Sequence, residues 1–455
     1  MSSQTIYALA SAGGRAGIAV IRVSGPGAGA ALTALTGKAA LAPRKAIRAA
    51  LADPSSSEPI DDGLVIWFPA PNSFTGEDVC EFQVHGGPAV IAGTLEALSG
   101  LSGLRMAEPG EFTRRAFENG KLDLTAAEGL ADLIEAETSA QRKQALRQLE
   151  GELGRLYEAW RQRLLAALAH GEAGIDFSDE DLPGGIEAEA RNDVAALERD
   201  LAEHLHDDRR GERLRSGFHI VIIGPPNAGK SSLLNQLARR DAAIVSETAG
   251  TTRDIIEVHL DLGGYPVTVA DTAGLRVISD KDGDAIEAEG IRRARARADT
   301  ADIRLAVFDA QTDADPATAA LVDAGTIVVI NKSDLAASSP PAAVGGQPAL
   351  AVSALTGDGI DALLALVTER VGALMATGSS AASPLPVLTR ARHREALEEC
   401  RAALGRFLAA APGNTTPELA AEDLRLAARA LGRITGRVDV DEVLDVIFRD
   451  FCIGK

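Results

Sequence analysis

Phe218-His219-Ile220-Val221-Ile222-Ile223-Gly224-Pro225-Pro226-Asn227-Ala228-Gly229-Lys230-Ser231-Ser232-Leu233-Leu234-Asn235-Gln236-Leu237 decides the reading of this chain. An apolar run fit for a buried strand meets Gly-x-x-x-x-Gly-Lys-Ser, and a helical pattern follows. Each residue type is there for a reason. The two glycines let the backbone curl so that its N–H groups face phosphates, and the helix N-terminus adds a positive dipole end. Lys230 reaches the outer phosphates and the Ser231 hydroxyl ligates Mg²⁺. Asn227, Ala228, Gly229, Lys230, Ser231 and Ser232 are therefore the expected phosphate-side contacts.

Outward from this loop, apolar runs recur at Ile220–Ile223, Val267–Ala270, Ile303–Phe308, Ile327–Ile330 and Leu350–Val352, with helical patterns between most of them. That alternation predicts a mostly parallel sheet with helices on both faces over residues 217–377, an α/β P-loop domain. Three more motifs fall at strand ends. Asp271-Thr272-Ala273-Gly274 follows the second run, where the carboxylate holds Mg²⁺ through water and the Gly274 N–H senses the terminal phosphate. Asn331-Lys332-Ser333-Asp334 follows the fourth. Asp334 suits the paired N–H donors of guanine, which adenine lacks, and Lys332 lies along the ring face. Ser353-Ala354-Leu355 follows the last and offers backbone N–H to the guanine oxygen. Thr252, in Ala249-Gly250-Thr251-Thr252-Arg253-Asp254, is the expected second Mg²⁺ ligand. Four motifs in this order predict GTP rather than ATP.

The catalytic arrangement is unusual. Ras-like enzymes place a water-orienting glutamine just after Asp-x-x-Gly; here Leu275 stands there. Asn227 and the Gly-Thr-Thr-Arg loop offer a polar side chain and carbonyls suited to a monovalent cation, which would take the place of an arginine finger.

The rest of the chain bounds the setting. Its 455 residues suggest about three domains, and 46% hydrophobic with 24% charged residues fits a globular protein. A net charge of −19 argues against non-specific coating of nucleic acid and leaves room for a local basic patch. Cys80, Cys400 and Cys452 form no disulfide or metal framework. The expectation is a cytoplasmic protein, with no signal peptide and no apolar stretch of bilayer length. Residues 1–120 alternate strand, turn and helix signals, including Ile18–Val23, Leu64–Phe68, Asp78–Val84 and a helix over Ala89–Leu98, which predicts an α+β domain. Residues 121–216 are helical. Leu146, Leu149, Leu153, Leu156, Trp160, Leu164 and Leu168 recur at three- and four-residue steps, an amphipathic stripe. An acidic break, Asp176 to Gly185, separates two such helices. After the linker Ala376–Pro384, residues 378–455 are helical again. The phosphate-binding domain thus sits inserted within one helical bundle.

The sequence resembles the MnmE (TrmE) family of tRNA-modification GTPases from end to end. The resemblance rests on the GTPase motifs and on Gly110-Glu111-Phe112-Thr113-Arg114-Arg115-Ala116-Phe117-Glu118-Asn119-Gly120-Lys121-Leu122-Asp123-Leu124. It rests also on Ser73-Phe74-Thr75-Gly76-Glu77-Asp78, on His85-Gly86-Gly87-Pro88, and on Phe451-Cys452-Ile453-Gly454-Lys455. It implies a homodimer joined through N-terminal domains similar to folate-dependent aminomethyl transferases. It implies K⁺-dependent pairing of GTPase domains across the dimer, and a flavin-dependent MnmG (GidA) partner in a heterotetramer. Together these add carboxymethylaminomethyl or aminomethyl groups to C5 of the tRNA wobble uridine, with the methylene carbon drawn from 5-formyl- or methylene-tetrahydrofolate. By motif position the potassium ligands are Asn227 and the carbonyls of Ser246, Thr248 and Thr251 or Gly250, within Ser246-Glu247-Thr248-Ala249-Gly250-Thr251-Thr252. Folate contacts are Arg22, Glu81, Lys121 and Lys455. The resemblance places catalytic roles on Lys230, Thr252, Arg253 and Glu287, with Glu289 a competitor for the glutamate that orients water. A catalytic role for Cys452 requires a lowered thiol pKa. From other classes, a GTP-switched RNA or ribosome assembly factor competes, although no KH-like Gly-x-x-Gly follows the GTPase domain. A stand-alone folate aminomethyl transferase is opposed by the intact nucleotide motifs.

Overall fold

The computed structural model describes residues 4–39, 41–176, 186–240, 242–244, 257–271, 301–336, 339–376, 386–410, 417–438, 441–449 and 451–454. The chain forms two compact units, each assembled from separated segments.

The first unit comprises Met1–Ala131, Gln148–Val194 and Ala402–Lys455. Its sheet contains β1 (Thr5–Leu9), β2 (Ala16–Ser24), β3 (Ile47–Ala52), β4 (Pro59–Phe68), β5 (Val79–Gly86) and β6 (Leu104–Met106) in the order β3-β4-β5-β2-β1-β6. All pairs are antiparallel except β1 with β6. Alternation along the strands divides the sheet into two faces. Ile21 and Val23 of β2 with Cys80, Phe82 and Val84 of β5 point to one face. There helices α1 (Ala28–Thr36) and α2 (Pro88–Ser99) cover them with Ala31, Leu32, Leu35 and Leu98. Arg22 and Glu81, between those residues, are cross-strand partners that face the other way. On that side Ile6, Ala8, Ala107 and Phe112 form a separate small core, with Phe74 against it.

Helices α3 (Glu111–Glu118) and α4 (Leu124–Glu135) follow β6. The leucine stripe is not one helix. It runs over α5 (Ser139–Leu149) and α6 (Glu152–Asp176), broken at Gly151, whose φ of +81° no helix continues through. Leu153, Trp160 and Leu164 of α6 are buried, whereas Leu146 of α5 is 39% exposed. Of the expected break Asp176–Gly185 and linker Ala376–Pro384, Asp176 and Ala376 are the last residues of helices, and the rest lies outside the described residues. The chain's last helices include Pro417–Thr435, which packs on α6, and Asp441–Arg449, whose Leu444 and Phe448 join Leu124 and Phe451 in a further core.

The second unit comprises Asp132–Arg147 and Ala195–Arg401. Its sheet contains β7 (Phe218–Ile223), β8 (Glu257–Leu262), β9 (Tyr265–Asp271), β10 (Ile303–Asp309), β11 (Thr326–Asn331), β12 (Ala343–Val344) and β13 (Gln347–Ala351) in the order β12-β13-β11-β10-β7-β9-β8. The five central strands are parallel, and β12 and β8 are antiparallel edges. With α8 (Arg210–Ser216) leading into β7, one face packs on α9 (Lys230–Ala238) and the helix Ile360–Ala376, and a second core lines the opposite face. Both chain crossings of this insert meet one carboxylate. Asp132 Oδ1 accepts from Arg215 Nε (2.8 Å), just before β7, and from an Arg390 terminal nitrogen (2.7 Å), just after the insert. The unit bounds fall within α4, α5, α7 (Ile186–Leu205) and the helix Ala391–Ala409.

Near the end of α7, burial lowers the pKa of His204 to about 4, against an attraction to Asp207 and with repulsion from Arg394 and His393. Between an unfolded value near 6.5 and the folded value, the unfolded chain binds a proton that the folded chain refuses, so stability falls as pH drops through that window. The stability advantage of the wild type over His204→Gln is expected to shrink, by up to roughly 3 kcal/mol, between pH 7 and pH 4. Denaturant unfolding of both chains across that range checks this, and a pH-independent difference would contradict it.

Candidate nucleotide and one-carbon sites

In the second unit the phosphate loop joins β7, which lies between β10 and β9 in the sheet, to α9. The loop depends on residues that lack or restrain side chains. A Cβ at Gly224 would lie 2.3 Å from the Val307 carbonyl oxygen, and one at Gly229 2.2 Å from Asn331 Nδ2. Gly229 has φ +87° and Asn227 has φ +63°, a left-handed conformation that asparagine tolerates better than most residues. Lys230 is buried, and its ammonium donates to the carbonyls of Gly224 and Pro225, both at 2.9 Å. It is thus held over the mouth of the loop. Asn227 and Ser231 are exposed beside it, Ser232 begins the outer face of α9, and Ala228 is buried beneath.

One buried side chain ties three loops together. Asn331, at the end of β11, donates through Nδ2 to the Ala228 carbonyl (2.9 Å) and accepts at Oδ1 from the Ala354 N–H (3.0 Å). The Ala354 N–H, expected toward the guanine oxygen, is thereby engaged with Asn331. Lys332 has φ +62° and pairs with Asp309 Oδ2 at 2.6 Å. Burial raises the Asp309 pKa, but hydrogen bonds from Lys332 and the Gln311 N–H, with the charge of Lys332, together outweigh it, so the carboxyl lies below its ordinary range. Asp309 at the tip of β10 was not foreseen; only the pairing of β10 with β11 brings it to Lys332. Asp334 stands exposed on the 3-10 turn Ser333–Leu335. Ser353 is buried and accepts from the Thr356 N–H, and Leu355 is 83% exposed. Asp271 closes β9 in register with Ile222 of β7. The remaining expectations, Ser246, Glu247, Thr248, Ala249, Gly250, Thr251, Thr252, Arg253, Thr272, Ala273, Gly274, Glu287 and Glu289, lie outside the described residues.

In the first unit, Arg22 and Glu81 are brought together as an ion pair, Nε to Oε1 at 3.0 Å. The guanidinium lies 5.3 Å from the Phe74 ring centroid and 5.7 Å from that of Phe112. Neither aromatic carries a role in the sequence reading, because both stand in loop or helix-start segments far from Arg22 in the chain. The two signature segments interlock here. Arg115 donates to Glu77 (3.1 Å) and to Glu111 (2.9 Å), Asn119 Nδ2 donates to the Thr75 carbonyl (2.7 Å), and Ser24 donates to Glu77 (2.7 Å). Burial raises the Glu111 pKa, yet its bonds to Arg105, the Glu108 N–H and Arg115 bring the group below its ordinary value. Lys121 lies in the turn between α3 and α4 rather than in a helix, and its stem runs along Gly76. The C-terminal segment returns to this region. Ile453 bridges Pro109, the Gly110 N–H donates to the Cys452 carbonyl (3.4 Å), and a Cβ on Gly454 would strike the Leu9 carbonyl. The Cys452 thiol is exposed; Lys455 lies outside the described residues.

A parallel sheet with an interior strand, β7, that ends in this loop, and with Asn-Lys-x-Asp at the end of β11, defines a P-loop GTPase. Residues 5–121 match the family model described as the GTP-binding protein TrmE N-terminus, and residues 124–452 match the MnmE helical domain. The tRNA modification GTPase MnmE of Parvibaculum lavamentivorans is 60% identical over 452 residues, 99% of this chain and 100% of that one. That of Paramagnetospirillum magneticum is 59% identical over 455 residues, covering both chains fully. Human mitochondrial 5-taurinomethyluridine (tRNA) synthase subunit GTPB3 is 50% identical over 472 residues, 100% of this chain and 94% of that protein. The chain belongs to the MnmE family. Among the described residues, no helix is long and apolar enough to cross a membrane.

Gly229→Ala forces a methyl group into Asn331 at a left-handed φ, a strain of about 1–3 kcal/mol that displaces the loop. GTP affinity measured with a fluorescent analogue is expected to fall at least about tenfold. Unchanged affinity would show that Asn331 does not set the loop.

Proposed function

We propose that the chain is a K⁺-stimulated GTPase that acts, with a flavin-dependent MnmG (GidA)-type partner, in folate-dependent addition of a carboxymethylaminomethyl group to C5 of the tRNA wobble uridine. The observation that carries this reading is the presence in one chain of Asn331-braced nucleotide loops and an Arg22–Glu81 pair flanked by Phe74 and Phe112. The full-length likeness to proteins named tRNA modification GTPases supports it.

At the nucleotide, Lys230 meets the outer phosphates, exchanging loop carbonyls for oxyanions. Ser231, Thr252 and Asp271 would hold Mg²⁺, and Asp334 would accept from guanine while Lys332, steadied by Asp309, covers the ring. Leu275 cannot orient water, so Glu287, or Glu289 on the same segment, takes that duty. A potassium ion held there would supply positive charge to offset the negative charge that develops on the phosphates. Asn227 holds it with the carbonyls of Ser246, Thr248 and Thr251 or Gly250. The exposed Asn227 side chain in the loop suits that duty.

The Arg22–Glu81 face fits a folate. Glu81, with Arg22 paired beside it, matches the paired N–H donors of a pterin, Phe74 and Phe112 offer ring faces, and Lys121 and Lys455 offer cations to its carboxylates. Cys452, exposed on the returning C-terminal segment, is available for covalent chemistry. We divide the chain into a folate and dimer domain (1–120), helical parts (121–216 and 378–455) and an inserted GTPase domain (217–377), acting as a cytoplasmic homodimer.

A deletion strain is expected to lack the C5 group on its wobble uridines and to regain it with this chain; nucleoside mass spectrometry showing unchanged tRNA would overturn the modification role. GTP hydrolysis is expected to run several-fold faster in KCl than in NaCl, and Asn227→Ala to abolish the difference. Equal wild-type rates at matched ionic strength would rule out the cation.

A further inference from the structure

Asp309 closes β10 and Asn331 closes β11, and the two stand opposite one another at the end of a continuous parallel register. The Ala310 N–H donates to the Asn331 carbonyl (2.9 Å), so the backbone alone joins the two strand ends. The Asp309 side chain does something further. Its Oδ1 accepts from the Gln311 N–H (2.9 Å), which fixes the carboxylate, and its Oδ2 accepts from the Lys332 ammonium (2.6 Å).

Lys332 is a hard residue to hold still. Its charge sits on a flexible four-carbon stem, and its φ of +62° is a left-handed conformation uncommon in residues with long side chains. That stem passes the phosphate loop: Lys332 Cε lies 4.0 Å from where a Cβ on Gly229 would stand. Beyond it the ammonium ends on Asp309. The side chain is therefore held between the loop glycine and a carboxylate that is itself fixed. A partly exposed ion pair adds little to stability, and strand pairing does not need this one. What the pair does order is the one side chain expected along the guanine ring. Ordering a rotamer-rich side chain at the moment of binding costs affinity, and a side chain ordered beforehand avoids that loss.

We propose that Asp309 is a positioning residue of the guanine site: it holds the Lys332 stem where the purine ring lies, and so sets how tightly the nucleotide binds without reading which base it carries. Asp334, exposed on the turn after Lys332, keeps the reading of the base edge. This role rests on the nucleotide site proposed above and extends it to a residue outside its four motifs.

The test is the affinity of the full-length chain for GTP and for inosine triphosphate, which lacks the exocyclic amino group of guanine. The variants are Asp309→Asn, Asp309→Glu, Lys332→Met and the double variant Asp309→Asn/Lys332→Met. Asp309→Asn is expected to weaken both nucleotides by the same factor, about three- to tenfold, so that their ratio is unchanged. KM for GTP is expected to rise far more than kcat falls, as for an interaction shared by bound substrate and transition state. Asp309→Glu, which keeps the charge, is expected to recover most of the affinity. In the Lys332→Met background the asparagine substitution is expected to add no further loss. Wild-type affinity in Asp309→Asn would overturn the role, as would no recovery with Asp309→Glu. So would a loss that adds in full to that of Lys332→Met, because Asp309 would then act on the fold and not through Lys332. If Asp309→Asn does not fold, Asp309→Ser, which keeps an acceptor for the Gln311 N–H, carries the same comparison. A wild-type chain that binds neither nucleotide would instead overturn the GTPase reading, and this role with it.

Discussion

The nucleotide domain depends on the side chain of Asn331. It is 1% exposed, and its amide donates to the phosphate loop and accepts from the Ala354 N–H in the loop after β13. Three segments that are distant in sequence are thereby held at one end of a parallel sheet. A buried amide that loses a partner costs about 1–3 kcal/mol, so each loop restrains the other two. The same contact explains Gly229, whose missing Cβ is the space that the Asn331 amide occupies. Loop shape, Lys230 placement and the position of Asp334 after β11 follow from it.

The α/β domain rests on a different constraint, the alternation of side chains across the strands. Ile21, Val23, Cys80 and Phe82 turn one face to α1 and α2, which obliges Arg22 and Glu81 to meet on the other. There the bonds of Arg115 and Asn119 to the 73–78 loop, and of Gly110 to the Cys452 carbonyl, gather three signature segments around one face. The segments that mark the family in sequence are those that must fit against one another in space.

The phosphate loop was legible because its requirements are local: each glycine answers to a close backbone or amide neighbour, and the spacing is fixed by one turn. The central strands were legible because a parallel sheet covered on both faces leaves continuous apolar runs. The Arg22–Glu81 pair was not, since it depends on the register of β2 with β5, 59 residues apart and shifted between Ala16 and Ala19. Both residues were expected at the site, but as separate contacts. Strands β1, β3, β6, β8 and β12 escaped because they are two to six residues long, too short for periodicity to mark them. The leucine stripe misled because the four-step spacing from Leu149 to Leu153 continues through the break at Gly151, so periodicity alone cannot see a change of helix.

The central claim is that GTP hydrolysis and uridine chemistry belong to separate sites of one chain, both needed for the modified tRNA. The direct measurement is a paired assay of Arg22→Ala/Glu81→Gln: GTP turnover in KCl of the purified variant, and nucleoside mass spectrometry of tRNA from a deletion strain that carries it. The account requires near-wild-type turnover with the C5 group missing from the wobble uridine. Full restoration of that group would contradict it, because the Arg22–Glu81 face would then have no part in the chemistry.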